Sequence, residues 1–220
     1  MIKRMAFMAR KPETSPEYFS RYWLDVHGDL VKRSPGVNRY QQNVVLDEIG
    51  SVPGHGKPFR LDGVVELWFE DEAALQACFA SPTGRELPAD EERFLEKITM
   101  HDVADAAQPD GRYKLLLAAA ARAGTEIANV RAQTQRLSRL VSEALGDGAS
   151  AVINEVEGVR ARPNLGIETP PAAVFLQFLF ADEATARAAI ASQAVHRALT
   201  EGAQGFEKVG AYLVFERRVV

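Results

Sequence analysis

Ser15-Pro16-Glu17-Tyr18-Phe19-Ser20-Arg21-Tyr22-Trp23-Leu24-Asp25-Val26-His27-Gly28-Asp29-Leu30 reads as a helix with a marked beginning. Ser15 is an N-cap residue, and Pro16 takes the first helical position, where its missing N–H costs nothing and its fixed φ suits the turn. At about 100° per residue, Phe19, Trp23, Val26 and Leu30 form one apolar stripe. His27 lies at the edge of that stripe, while Asp25 and Asp29 face away from it. The stripe turns the imidazole toward the interior, where a histidine is either a packed residue satisfied by a backbone carbonyl or a group that exchanges protons.

Outward from this helix the chain reads as strand, helix, strand, strand, helix, strand. Residues 1–9 mix apolar and basic side chains as a strand with one covered face does, and Ser34-Pro35-Gly36 stops the helix. Val37 to Leu46 is a second strand, with Tyr40, Gln42 and Val44 on one face and Val37, Arg39, Gln41, Asn43 and Val45 on the other. So many polar residues suit a strand that borders a polar cavity or a wet interface. Gly50 to Pro58 is a loop by composition, with His55 at its tip. Leu61 to Phe69 is a third strand, on which Glu66 and Trp68 share a face. Asp71-Glu72 opens a second helix that ends near Ser81-Pro82-Thr83-Gly84, and a shorter helical piece from Ala89 to Glu96 leads into the strand Ile98 to Val103. His101 and Asp102 point to opposite faces of that strand, so they do not form a dyad.

After a linker at 105–111 the same order returns: strand (Tyr113 to Ala119), helix (Thr125 to Leu145), strand (Ala149 to Val156), turn (Arg160 to Pro171), strand (Val174 to Phe180), helix (Asp182 to Leu199) and strand (Val209 to Phe215). Trp68-Phe69-Glu70-Asp71-Glu72-Ala73 against Leu179-Phe180-Ala181-Asp182-Glu183-Ala184, and Ser81 against Ser192, mark an internal duplication. Two repeats, 1–106 and 107–220, each with the ferredoxin-like split βαβ order, define an α+β chain. Each sheet has a face left bare by its helices, and the two bare faces close into a barrel within one polypeptide. Two domains with separate sheets are the alternative.

Arg10-Lys11-Pro12, the aromatic helix ending in His27-Gly28, Pro35-Gly36-Val37, Tyr40 and Gln42-Asn43 resemble the start of the EthD family, over about residues 1–105. The resemblance implies the dimeric α/β-barrel fold with ferredoxin-like units. It also implies a reaction drawn from a diverse set that includes ether-degradation accessory proteins, lactone isomerases and polyketide-modifying proteins. Its leading implication is cofactor-free proton transfer on a small oxygenated ring compound, by an isomerase or dehydratase of a catabolic or secondary-metabolic pathway. In the related lactone isomerases a histidine at the end of the first helix and a tyrosine on the second strand are associated with the site, and His27 and Tyr40 occupy those positions here. The expected pocket is completed by Tyr22, Trp23, Asn43, Trp68 and His101 as substrate-binding residues. The first helix of the second repeat, Thr125 to Thr134, has no aromatic residue and no histidine, which predicts one site per chain. A non-catalytic ligand-binding accessory protein is the second hypothesis, and a cofactor-independent or haem-dependent oxygenase is the third.

Composition bounds the rest. The chain has 220 residues, 46% of them hydrophobic, with 26 basic against 30 acidic side chains and no long basic run, which argues against a nucleic-acid partner. Cys78 is the only cysteine and reads as a small buried apolar residue. His27, His55, His101 and His196 show no metal-ligand spacing, no glycine-rich phosphate loop is present, and no G-x-S-x-G turn occurs. The expectation is a protein without metal or cofactor that takes a small-molecule ligand. No apolar run is long enough to span a bilayer, and Met1-Ile2-Lys3-Arg4-Met5 lacks a signal-peptide pattern, so a cytoplasmic protein is expected. Its outer strands and helices leave a homodimer open.

Overall fold

A computed structural model describes residues 1–49, 52, 57–104, 112–146, 149 and 151–220. His55 and the linker at 105–111 lie outside the described residues.

The strands are β1 (Ile2–Arg10), β2 (Val37–Glu48), β3 (Gly63–Phe69), β4 (Leu95–Val103), β5 (Tyr113–Ala121), β6 (Ala151–Ala161), β7 (Val174–Phe180) and β8 (Phe206–Arg218). They close a barrel in the order β1-β3-β2-β8-β5-β7-β6-β4. The first four strands run β4-β1-β3-β2 and the last four β8-β5-β7-β6, the same order twice, with every ladder antiparallel. Two seams join the halves: β2 pairs with β8, setting Val44 against Phe215, and β4 pairs with β6, setting Met100 against Arg160. The fold is therefore the intrachain barrel of two ferredoxin-like repeats, and closure leaves no unpaired sheet edge.

The duplication is metrically regular. Lys114, Asn154, Gln177 and Tyr212 follow Lys3, Asn43, Glu66 and His101 at a constant spacing of 111 residues. Because side chains alternate across a strand, this regularity puts paired residues on equivalent faces. Met5, Phe7, Val64, Leu116, Phe175 and Tyr212 pack together inside the barrel. Outside it, one apolar layer lies between the first half of the sheet and its helices, around Phe19, Trp23, Tyr40 and Phe94. A second lies under the helices of the other half, around Leu137, Val141, Val195 and Phe206.

The helices of the first half are α1 (Pro16–Tyr22), a π-helical segment Trp23–His27, α2 (Gly28–Arg33), α3 (Glu72–Ala80) and α4 (Pro82–Phe94). Ser15 caps α1 by accepting from the Tyr18 N–H, as the sequence implies. The single stripe is corrected at Val26; Leu30 packs against the core with Phe19 and Trp23. In the π turn the Gly28 N–H bonds to the Trp23 carbonyl, five residues back, which rotates the rest of the helix by about one residue. Val26 is 42% exposed, while His27 is 5% exposed and faces the sheet. The matching helix of the second half, α5 (Ile127–Leu145), has no such turn, and Leu137, which corresponds to Val26, is fully buried. The π turn is what brings the imidazole inward.

Three smaller expectations also change. The helix expected from Ala89 begins at Pro82, because Ser81 caps it by accepting from the Gly84 N–H. The helix expected from Asp182 to Leu199 is two, α6 (Glu183–Ile190) and α7 (Gln193–Gly202), since Ser192 caps a new start through the Val195 N–H. Strand β6 continues to Ala161, into the expected turn, because it pairs with β4 there.

Candidate functional site

The inward-facing His27 meets Asp90 of α4: its Nδ1 lies 2.9 Å from Asp90 Oδ2, with both side chains buried. Tyr22, one turn earlier, donates its hydroxyl to the other oxygen, Asp90 Oδ1, at 2.7 Å. Burial pushes the Asp90 carboxyl up, but the hydrogen bonds from His27 and Tyr22 outweigh it and hold the group below the usual carboxylate range. A carboxylate acceptor fixes the proton of a neutral imidazole on Nδ1 and leaves the Nε2 lone pair as the base. Among the described residues no protein group bonds to that nitrogen.

Tyr40, fully buried on β2, accepts hydrogen bonds from the Trp23 indole N–H and the Gln42 side-chain amide, each at 2.9 Å. Gln42 also donates to the Trp23 carbonyl at 2.8 Å, which ties the strand to the π turn. Burial raises the Tyr40 phenol far above its ordinary range despite these bonds, so the hydroxyl keeps its proton. With two bonds already accepted, that proton is available to an acceptor outside this cluster.

His27 and Tyr40 line one cavity of about 40 Å³, walled otherwise by apolar side chains including Met8, Leu87 and Met100. Its charged wall is Arg4, Glu91 and Arg162. Arg162 comes from the second half and pairs with Glu91 through two bonds, 2.6 and 2.9 Å; Arg4 pairs with Asp102 at 2.7 Å. Both guanidinium groups lie over the Phe79 ring, at 5.7 and 5.3 Å.

The other expected site residues are elsewhere, so a single pocket holding all of them is corrected. Trp23 is core, packed on Phe19 with ring centroids 5.5 Å apart, and does not wall the cavity. Asn43, Trp68 and His101 face the barrel interior because each lies on the strand face opposite the helices. Asn43 donates to Glu66 at 2.9 Å, and the Trp68 ring carries the Lys3 ammonium at 4.8 Å. His101 stands edge-on between Phe7 and Phe175, with centroids at 5.2 and 4.9 Å, and neither ring nitrogen makes a hydrogen bond of normal geometry.

Burial drives the His101 pKa down to about 4, with the Met5 backbone and the Asp102 charge opposing it only in part. A lowered imidazole pKa favours folding while the ring is neutral. That stability is complete above the unfolded value of about 6.5 and is lost as the pH falls from there toward the folded value. His101→Phe, which keeps the aromatic packing, is expected to flatten the decline in urea midpoint between about pH 6.5 and pH 4 relative to wild type. An equally steep decline in the variant excludes this role.

Asp90, Gln42, Arg4, Glu91 and Arg162 are not among the site residues expected from sequence. Gln42 shares a strand face with Tyr40, which was a usable signal; Asp90 and Arg162 are ordinary charges on a helix and at a strand end, and only folding brings them to His27. Among the described residues no group of three or more His, Cys, Asp or Glu side chains is placed to hold a metal ion, and no helix is long and apolar enough to cross a membrane.

A closed barrel of two ferredoxin-like halves with helices outside makes this a dimeric α/β-barrel protein whose two units are joined in one polypeptide. Residues 11–98, which hold the dyad and its strand, match the EthD domain model. Among solved structures, an anthrone oxidase-like protein is similar at 12% identity and a TM-score of 0.56, over 99% of this chain and 92% of that one. A candidate monooxygenase from Fusobacterium nucleatum is similar at 9% identity and a TM-score of 0.55, over 99% and 93% of the two chains. An EthD family protein from Bacillus halodurans aligns with 48% of this chain and 99% of its own, at 18% identity and a TM-score of 0.39. No curated protein matches the chain.

Proposed function

We propose that the His27 cleft performs cofactor-free proton transfer on a small oxygenated ring compound, as an isomerase or dehydratase, with His27 as the proton carrier. One observation carries this reading: the buried 2.9 Å contact between Asp90 and His27 Nδ1 leaves Nε2 as the free base, and His27 and Tyr40 line the same cavity. Nε2 removes a proton beside a carbonyl or lactone group and returns it elsewhere on the ring. Tyr40 donates to the oxygen where negative charge collects. A ring compound needs more than 40 Å³, so side chains of the charged wall move aside on binding. The same reading takes 1–106 as the repeat with the site and 107–220 as its degenerate partner, in a cytoplasmic protein that forms homodimers.

An oxygenase is the second reading, supported by the oxidase-like description of one fold neighbour. It shares the first step, since a carbanion made by His27 can react directly with dioxygen. The cavity as it stands is far smaller than a porphyrin.

The test is a thermal-shift screen of lactones, phenols, quinones and polycyclic ketones, followed by turnover of the hits with and without dioxygen. His27→Ala is expected to lower turnover by roughly 10²–10⁴. Undiminished turnover in the variant removes His27 from the mechanism. Turnover that requires dioxygen selects the oxygenase, and ligand binding by wild type without turnover selects an accessory protein.

A further inference from the structure

A cavity roomier than the His27 cleft lies in the second half. About 440 Å³ lies between the first turns of α5 and strands β6 and β7, walled by Ile127, Val130, Thr134, Glu155, Val156 and Val174. The 111-residue spacing identifies what fills the same place in the first half. Thr134 corresponds to Trp23, Val130 to Phe19 and Val174 to Gly63.

In the first half the indole of Trp23 is fully buried against the sheet, so close to Gly63 that a Cβ there would lie 2.5 Å from the ring. In the second half the indole has become a threonine whose hydroxyl turns back to the Val130 carbonyl at 2.8 Å, and the phenyl ring beside it has become a valine. Val174 replaces the glycine that made room for the ring, yet its side chain is far smaller than an indole. Two aromatic rings that fill the space between helix and sheet in the first half have no counterpart in the second.

The space has the size of a small-molecule site: Ile127, Val130, Val156, Ala173 and Val174 give it apolar walls, and Thr125, Arg131, Thr134, Glu155 and Glu157 supply its polar groups. Ile127, which is 66% exposed, leaves an apolar lip at the entrance. Arg131 and Glu155 pair at 2.8 Å through Glu155 Oε2; Oε1 makes no other bond among the described residues and can accept one from a ligand.

We propose that this cavity binds a planar bicyclic aromatic molecule of indole size, carrying one N–H or O–H that donates to Glu155. The ring lies where Trp23 lies in the first half, between the helix and the paired strands, with the Arg131 guanidinium beside it. This site is separate from the His27 cleft and does not depend on its function.

Indole itself is the probe, followed by calorimetry and by chemical-shift changes of the Val130 and Val174 methyl groups. Wild type is expected to bind it with shifts at both methyls, and His27→Ala to bind it within twofold of wild type. Thr134→Trp combined with Val174→Gly rebuilds the packing of the first half and is expected to weaken binding at least tenfold. No binding to wild type at millimolar indole, binding without shifts at the two methyls, or undiminished binding by the double variant overturns the proposal. If circular dichroism shows that the double variant does not fold, Val130→Phe decides instead: at least tenfold weaker binding supports the site, and unchanged binding overturns it.

Discussion

Glu66→Leu is expected to lower the stability of the barrel by about 3–5 kcal/mol, measured by urea unfolding. Glu66 sits at the centre of the barrel interior, 2.7 Å from the Lys3 ammonium and 3.0 Å from that of Lys114, with all three side chains fully buried. The side-chain amides of Asn43 and Gln177 also donate to it, at 2.9 and 2.8 Å. Removing the carboxylate affects the two lysines unequally. Lys114 keeps Glu216 at 2.7 Å, whereas Lys3 keeps the Asn154 side-chain oxygen, also at 2.7 Å, and the face of the Trp68 ring, neither of which carries a full negative charge. The cost is therefore mainly that of one buried ammonium left without a counter-charge, so adding Lys3→Met to Glu66→Leu is expected to recover most of the loss. A double variant no more stable than the single one sinks this account.

The same cluster has an acid limb. Burial pushes the Glu66 carboxyl up, but Lys114 and Lys3 more than reverse this and hold it well below the usual range. A lowered folded-state value gives stability that is complete above the unfolded value of about 4.3 and is lost as the pH falls below it. In wild type this component begins to fade only below about pH 4; Glu66→Leu is expected to lack it.

The cluster also shows what a sequence discloses about such a fold. The barrel was legible because strand order is local information: alternation, turns and the Asp71/Asp182 helix starts repeat at one spacing and leave two sheets with bare faces to cover. Polar residues on β2 correctly pointed to a polar lining, and Asn43 is part of it. Which face met which space was harder. Strand alternation separates Tyr40 from Asn43 from the outset, yet whether helix or barrel lies beyond each face depends on closure, and closure puts Trp68 and His101 on the barrel side, away from His27. The inward turn of His27 was read from a regular 3.6-residue stripe. The π turn that produces it has no local signature in Trp23-Leu24-Asp25-Val26-His27. Asp90 and Arg162 reach the cleft only through contacts 63 and 71 residues long in sequence, His27 to Asp90 and Arg162 to Glu91, which no periodicity records.

Asp90→Asn is expected to lower kcat of the His27 reaction by about 10³–10⁴ with little change in KM, a loss of the size seen when the carboxylate partner of a catalytic histidine becomes an amide. The volume is almost unchanged, and the effect comes from where the proton sits. The Asp90 carboxylate only accepts, so the imidazole keeps its hydrogen on Nδ1 and offers Nε2 as the base. In the variant the Tyr22 hydroxyl still donates to the remaining oxygen, which turns the new amide N–H₂ toward His27. Nδ1 must then accept, the hydrogen moves to Nε2, and that nitrogen can no longer take a proton. Nitrogen chemical shifts of His27 read this directly: protonated Nδ1 in wild type, protonated Nε2 in Asp90→Asn. Asp90→Glu, which restores an acceptor on a longer arm, is expected to recover the wild-type tautomer and part of the rate. A tautomer that stays on Nδ1 in Asp90→Asn, or a rate within twofold of wild type, means that Asp90 is only a packing partner and that the proton chemistry belongs to another group.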